Sequence, residues 1–186
     1  MTTVQHSTNE ELDAGLAHIR SAPKDAGVLR MIVRRPDVNV RQVLDAGDLD
    51  AVQGLVGDTW HQRTSRKTPD GSPHPDMQIN LMNSRVAALV AREESRWSLA
   101  GDQLFVDFDL SGANLPPGTR LSIGNAIIEV TDQPHTGCAK FVQRFGVEAA
   151  AFVNSPVGRE LNLRGINARV VQSGRIEVGD AIRKLA

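Results

Sequence analysis

From Gly27 to Leu185 the chain is cut into short apolar or alternating runs by glycine, proline, asparagine and aspartate, and this punctuation limits what it can fold into. Residues 27–35 read as a largely buried strand that Pro36 stops. Residues 40–44 give a second strand, with turns at Gly47 and Asp48. Residues 78–83 and 103–110 alternate polar and apolar side chains as half-buried strands do. Residues 120–124 and 126–131 flank Ile123-Gly124-Asn125-Ala126, a hairpin connection. Residues 167–171 and 175–178 straddle Gln172-Ser173-Gly174 and read as a second hairpin, and Gly179-Asp180 turns the chain into a last strand over 181–185. Strands this short leave edges exposed unless the sheet curls shut. The expected fold class is therefore mainly β, a curled or closed barrel with a few short peripheral helices.

The helical signals are few. Asn9 can cap a helix through Leu12, Leu16 and Ile19, Glu10 and Glu11 complement its dipole, and Pro23 ends it. Residues 1–8 read as a loose tail, so 1–26 form an N-terminal tail and helix and 27–186 the barrel domain. Asn83 or Ser84 caps a helix through Val86, Leu89 and Val90. Phe141, Val142, Phe145, Val147 and Ala150 recur at helical spacing with a break at Gly146, and Pro156 opens another short helix. Residues 62–75 have loop composition, either a surface loop or a lid over a site.

With 186 residues the chain is long enough for one sizeable core. Its single cysteine excludes an internal disulfide and a multi-cysteine zinc site, which fits a reducing cytoplasm. A net charge of -1 gives no support for a nucleic-acid partner, and no apolar run is long enough to span a bilayer. Aromatics at 4% with no tyrosine exclude a stacking platform. A soluble, cytoplasmic protein is expected, with no nucleic-acid or membrane partner.

The cysteine lies in Pro134-His135-Thr136-Gly137-Cys138-Ala139-Lys140-Phe141, between a strand and a helix. There, unpaired backbone N–H groups and the helix dipole favour thiolate over thiol, and His135 and Lys140 can add positive charge. The competing reading makes Cys138 a small buried hydrophobe. Arg144, Arg159, Arg164 and Arg169 follow the cysteine, and a few of them suit an anion site. Asn80, Asn83 and Asn114 suit amide bonds to a heterocycle, or turns and caps. Asp58, Asp107 and Asp180 are expected to brace turns. His61, His74 and His135 show no metal-ligand spacing, and Gly54-Leu55-Val56-Gly57-Asp58 lacks the lysine and hydroxyl residue of a phosphate loop.

Taken together, these pieces resemble the MOSC domain family, named for the C-terminal domain of molybdenum cofactor sulfurases. Gly54-Leu55-Val56-Gly57-Asp58 is similar to its glycine-leucine-x-glycine-aspartate element, Cys138 follows a strand as the family's cysteine does, and residues 165–180 resemble its closing hairpin and glycine-aspartate turn. Asp109-Leu110-Ser111-Gly112-Ala113-Asn114-Leu115 resembles its asparagine-leucine stretch. Thr136-Gly137 stands where many relatives carry arginine and proline.

The resemblance implies a MOSC-type β-barrel, similar to a small stand-alone bacterial member. It implies either binding of a molybdenum-pterin cofactor (molybdopterin) or sulfur transfer through a cysteine persulfide, as a sulfurtransferase or oxidoreductase component. A sulfur donor or redox partner protein is implied with it, and the family also carries an association with pyridoxal phosphate. Cys138 would be the metal ligand or sulfur carrier, with His135 and Lys140 stabilising its thiolate. Arg144, Arg164, Asn80 and Asn114 would hold the cofactor. The alternative is a non-enzymatic barrel that binds a small ligand and buries Cys138 as a structural residue.

Overall fold

The computed structural model describes residues 5–186. Helix α1 (Asn9–Arg20) is fixed at its start by reciprocal bonds: the Thr8 hydroxyl accepts the Glu11 N–H and the Glu11 carboxylate accepts the Thr8 N–H. Thr8 is thus the cap, one residue ahead of the expected Asn9. Ser7, expected in a loose tail, is buried, and its hydroxyl donates to the Leu89 carbonyl at 2.7 Å. Residues 1–4 of that tail lie outside the described residues.

The strands follow as β1 (Ala26–Arg34), β2 (Gln42–Leu44), β3 (Ala46–Asp50), β4 (Gly54–Leu55), β5 (Ile79–Asn83), β6 (Leu104–Asp107), β7 (Arg120–Ile123), β8 (Ala126–Val130), β9 (Ile166–Gln172), β10 (Gly174–Glu177) and β11 (Ala181–Lys184). Seven of them close a barrel in the order β11-β7-β8-β9-β5-β6-β1, with β1 returning to β11. Among the described residues only β5 and β6 pair in parallel, since α2 (Ser84–Ala91) carries the chain over between them. The nine-residue β1 makes closure possible: its start pairs with β11 (Gly27↔Ile182), its centre with β6, and its end with β2 (Ile32↔Leu44). The fold is mainly β, a closed mixed barrel with short helices outside it.

Side-chain alternation divides the core in two. Leu29 and Ile32 of β1, Ile79 and Leu81 of β5, and Leu104 and Val106 of β6 point into the barrel. Met31, Val33, Met82 and Phe105 on the same strands point outward, where Leu12 and Ile19 of α1, α2, α3 (Ala139–Phe145) and α4 (Val147–Asn154) cover them. A last helix, α5 (Pro156–Glu160), starts at its proline with Ser155 as cap.

Two turn assignments are corrected. Gly47 and Asp48 lie inside β3, where Gly47 faces Ile176 of β10. Residues 172–174 do not form a hairpin: β9 stays in the barrel between β5 and β8, while β10 leaves it to pair with β3. The crossing depends on Gly174, where a Cβ would fall 2.4 Å from the Asn125 backbone in the β7–β8 turn. The hairpin expected at Ile123-Gly124-Asn125-Ala126 is present, with Ile123 facing Ala126.

Closure at β11 rests on Ile182, fully buried opposite Gly27 and Ile123. Ile182→Ala is expected to lower unfolding free energy by roughly 2–5 kcal/mol in chemical denaturation. Val43→Ala, at an exposed position on the edge strand β2, is expected to change it by about 0.5 kcal/mol or less.

Candidate active-site cleft

The site is built from the Gly54-Leu55-Val56-Gly57-Asp58 turn. Gly57 has φ +82, and a Cβ there would fall 2.8 Å from the Arg34 side chain, so the tight turn needs glycine. The turn delivers Asp58 to a short 3₁₀ segment, Thr59–Gln62, which it caps by accepting the Trp60 N–H at 2.9 Å. The same carboxylate receives Arg35 Nε and Nη2, each at 2.8 Å, and the Arg35 backbone N–H at 2.9 Å. Burial pushes Asp58 up, but these hydrogen bonds and the Arg35 charge more than offset it and hold the carboxyl below its usual range.

Arg35 carries the connection further. Its Nη1 donates to the Gly101 carbonyl at 2.9 Å and to Asn80 Oδ1 at 3.2 Å. Asn80 Nδ2 donates to Asn167 Oδ1, and Asn167 Nδ2 donates to the Gln133 carbonyl at 3.0 Å. A continuous polar chain thus runs from the end of β1 through β5 and β9 to the segment preceding Cys138.

These residues border an open cleft of about 620 Å³. Arg35, Arg41, Arg63, Lys140, Arg144 and Arg164 line it against a single carboxylate, Asp37. Two of the cations have buried partners, Asp58 for Arg35 and Asp102 for Arg164. Arg41, Arg63, Arg144 and Lys140 have no ion-pair partner among the described residues. Arg41 Nε is buried without a hydrogen-bond acceptor. Burial, then repulsion from Arg144, Arg35 and Arg63, makes Arg41 hold its proton less tightly than a free arginine. Such a cleft is unsatisfied in one specific sense: its cations outnumber its carboxylates.

Cys138 lines the cleft as an exposed free thiol at the N-cap of α3. Partial burial pushes the thiol up, but the backbone N–H groups of Phe141 and Lys140 and the charge of Arg164 together hold it below its ordinary value. Lys140 therefore acts on the sulfur through its backbone. His135 is not the expected cation: burial first, and then Arg164, push it down to about 4, so it is neutral at physiological pH. Its Nδ1 lies 3.4 Å from Asp102 Oδ1, and Asp102 Oδ2 accepts from Arg164 Nη1 at 2.7 Å.

The cleft gathers Cys138, His135, Lys140, Arg144, Arg164 and Asn80. Arg164 is buried and mostly engaged, with Nη2 on the Ala100 carbonyl and its guanidinium 5.1 Å from the Phe141 ring centre. Arg144 donates to the Leu99 carbonyl at 2.6 Å. Asn114 is not part of the site. Its amide donates to the Lys24 and Asp109 carbonyls and accepts from Lys184, because the 109–115 turn needs those bonds. Arg169 pairs with Glu129, and Asp107 with Arg85. Gln62 and Arg63, at the start of the 62–75 loop, line the cleft, and Lys67 donates to Gln133.

Sequence reasoning missed Arg35, Arg41 and Arg63. Its only signals for them were Pro36 after Arg35 and the basic composition of the 62–75 loop. Among the described residues no group of three or more histidine, cysteine, aspartate or glutamate side chains is arranged for a metal ion, and no helix is long and apolar enough to cross a membrane.

His135 makes stability depend on pH. Its folded pKa of about 4 lies below the ordinary 6.5, so the unfolded chain binds the extra proton between these values. Stability is full above 6.5 and falls as pH drops through this window. Between pH 7.5 and 5 the loss is expected to be about 2 kcal/mol in urea denaturation. His135→Gln is expected to remove most of that slope, since carboxylates such as Asp58 contribute only below about pH 5.

Comparison with known proteins places the architecture. The crystal structure of the YuaD protein from Bacillus subtilis is similar with a TM-score of 0.61 at 19% identity, over 84% of this chain and 94% of that one. YiiM from Escherichia coli gives 0.55 at 19% identity over 86% and 70%, and YiiM from Geobacillus stearothermophilus 0.53 at 14% over 86% and 73%. At these identities the likeness is one of fold. No curated protein sequence matches the chain. The model of the MOSC domain matches residues 58–183, which run from the buried Asp58 through Cys138 to the strand that closes the barrel. With most of its length matched, the chain belongs to the MOSC domain family.

Proposed function

We propose that the cleft binds an anionic molybdenum-pterin cofactor, with Cys138 as ligand of the metal or as carrier of a sulfur atom in a persulfide. The observation that carries this reading is an exposed thiol, held toward thiolate, on the wall of a cleft with four uncompensated cations. The donor set fits the group. Arg41 Nε is a buried donor in need of an acceptor, Arg63 and Arg144 present further guanidinium groups, and a thiolate suits a soft metal centre. Membership of a family associated with molybdenum cofactor binding or sulfur transfer supports the same reading.

In this reading Arg41, Arg63 and Arg144 hold the anionic end of the cofactor, the backbone N–H groups of Phe141 and Lys140 together with Arg164 favour the Cys138 thiolate, and Asp102 fixes Arg164 in place. Asn80 is committed to the polar chain from Arg35 and shapes the floor. When bound, the molybdenum centre supplies redox and atom-transfer chemistry. The opening of the cleft leaves Cys138 within reach of a sulfur donor or redox partner protein. The alternative with a buried structural cysteine does not stand, because Cys138 is exposed.

Protein purified from a molybdenum-replete host provides the test. Arg41→Lys and Arg144→Lys keep the charge but lose the planar fork, and each is expected to weaken pterin retention by one to two powers of ten, roughly 1.5–3 kcal/mol. Cys138→Ser is expected to keep pterin and lose metal or sulfur, read by native mass spectrometry. Equal retention in all three variants and the wild type would remove the cofactor from this cleft.

A further inference from the structure

Cys138 is presented by a segment that has little regular structure of its own, since residues 131–138 belong to neither strand nor helix. What fixes it just before the sulfur is a side chain from elsewhere. Asn154, the last residue of α4, meets the backbone of Gly137 with both ends of its amide. Its Oδ1 accepts the Gly137 N–H at 3.0 Å and its Nδ2 donates to the Gly137 carbonyl at 3.3 Å. One side chain thus makes the pair of bonds that a neighbouring β-strand residue would make.

Two further facts show that the contact is built into the chain. A Cβ on residue 137 would fall 2.9 Å from Asn154 Nδ2 and 3.2 Å from Val153 Cγ2, so the amide can approach only because residue 137 is glycine. The Gly137 carbonyl also shares a planar peptide with the Cys138 N–H, so fixing that oxygen fixes the plane from which Cys138 starts. From there the chain is extended (φ -113, ψ 177) and enters α3 directly.

We infer that Asn154 is the positioning residue of the site: its amide clamps Gly137 and thereby aims the Cys138 sulfur into the cationic cleft. The inference rests on the reading of Cys138 as the reactive group. It adds that the aim is set from α4, by a residue outside the cleft lining. Without the clamp, the Gly137–Cys138 peptide is free to rotate and the sulfur is no longer held toward the cleft that Arg41, Arg144 and Arg164 line.

The test compares alkylation of Cys138 by iodoacetate, an anion, and by iodoacetamide, its neutral counterpart, in the cofactor-free protein at one pH and low salt. The ratio of the two rates cancels the thiolate fraction and reports the field around the sulfur. In the wild type the ratio is expected to exceed that of glutathione by about tenfold. Asn154→Ala is expected to bring it down to within about twofold of glutathione, and Gly137→Ala, which pushes the amide away, is expected to do the same. Ser155→Ala removes a helix cap on the Gly158 N–H without touching Gly137 and is expected to lose stability at an unchanged ratio. A wild-type ratio in Asn154→Ala, or in Gly137→Ala should the first variant not fold, overturns the clamp. A wild-type ratio no higher than that of glutathione overturns instead the cleft-facing thiol on which the proposed function rests.

Discussion

The ion pair between Arg35 and Asp58 is the contact on which the cleft depends. Both side chains are almost wholly removed from water, at 5% and 0% exposure, so the pair is held against a large desolvation cost and is weak evidence of net stability. Its importance lies in what it joins. One guanidinium binds the turn after β4, the loop at Gly101 and, through Asn80 and Asn167, the backbone ahead of the cysteine. Loss of either partner would leave a buried charge unpaired, a penalty of about 3–5 kcal/mol, and would release several cleft walls at once.

The second buried pair, Arg164 with Asp102, works beside the first but does a different task. It leaves Arg164 close enough to loosen the proton on both Cys138 and His135, adding to the backbone N–H groups that draw the thiol toward thiolate and to the burial that keeps the imidazole neutral. The remaining cations are left uncompensated. Arg41 is destabilised as a cation by burial and then by its cationic neighbours, and an anion in the cleft would relieve that repulsion. An anion that binds the native cleft and not the unfolded chain would therefore stabilise the fold.

The barrel was legible because short β-branched runs between turn residues leave few other ways to cover strand edges. Its register was less so. The Gln172-Ser173-Gly174 turn has the composition of a hairpin, yet Ile176 completes a core with Leu49 and Leu55, contacts more than a hundred residues away in sequence. Cys138 was legible as a candidate from its strand-to-helix context. Asn114 was misread because an asparagine that serves a turn and one that serves a ligand look alike without partners. Arg35, Arg41 and Arg63 were missed because their meaning comes from convergence of three separate segments, and Asn154 because its partner is backbone, which has no signature in the sequence.

The proposed function requires this cleft to be an anion site opening on Cys138. Diffraction from crystals soaked in tungstate, a compact electron-dense dianion, tests it most directly. An anomalous peak is expected within the cleft, in contact with the Arg41 and Arg144 guanidinium groups and on the same side as the Cys138 sulfur. An empty cleft in crystals that bind tungstate elsewhere would contradict it.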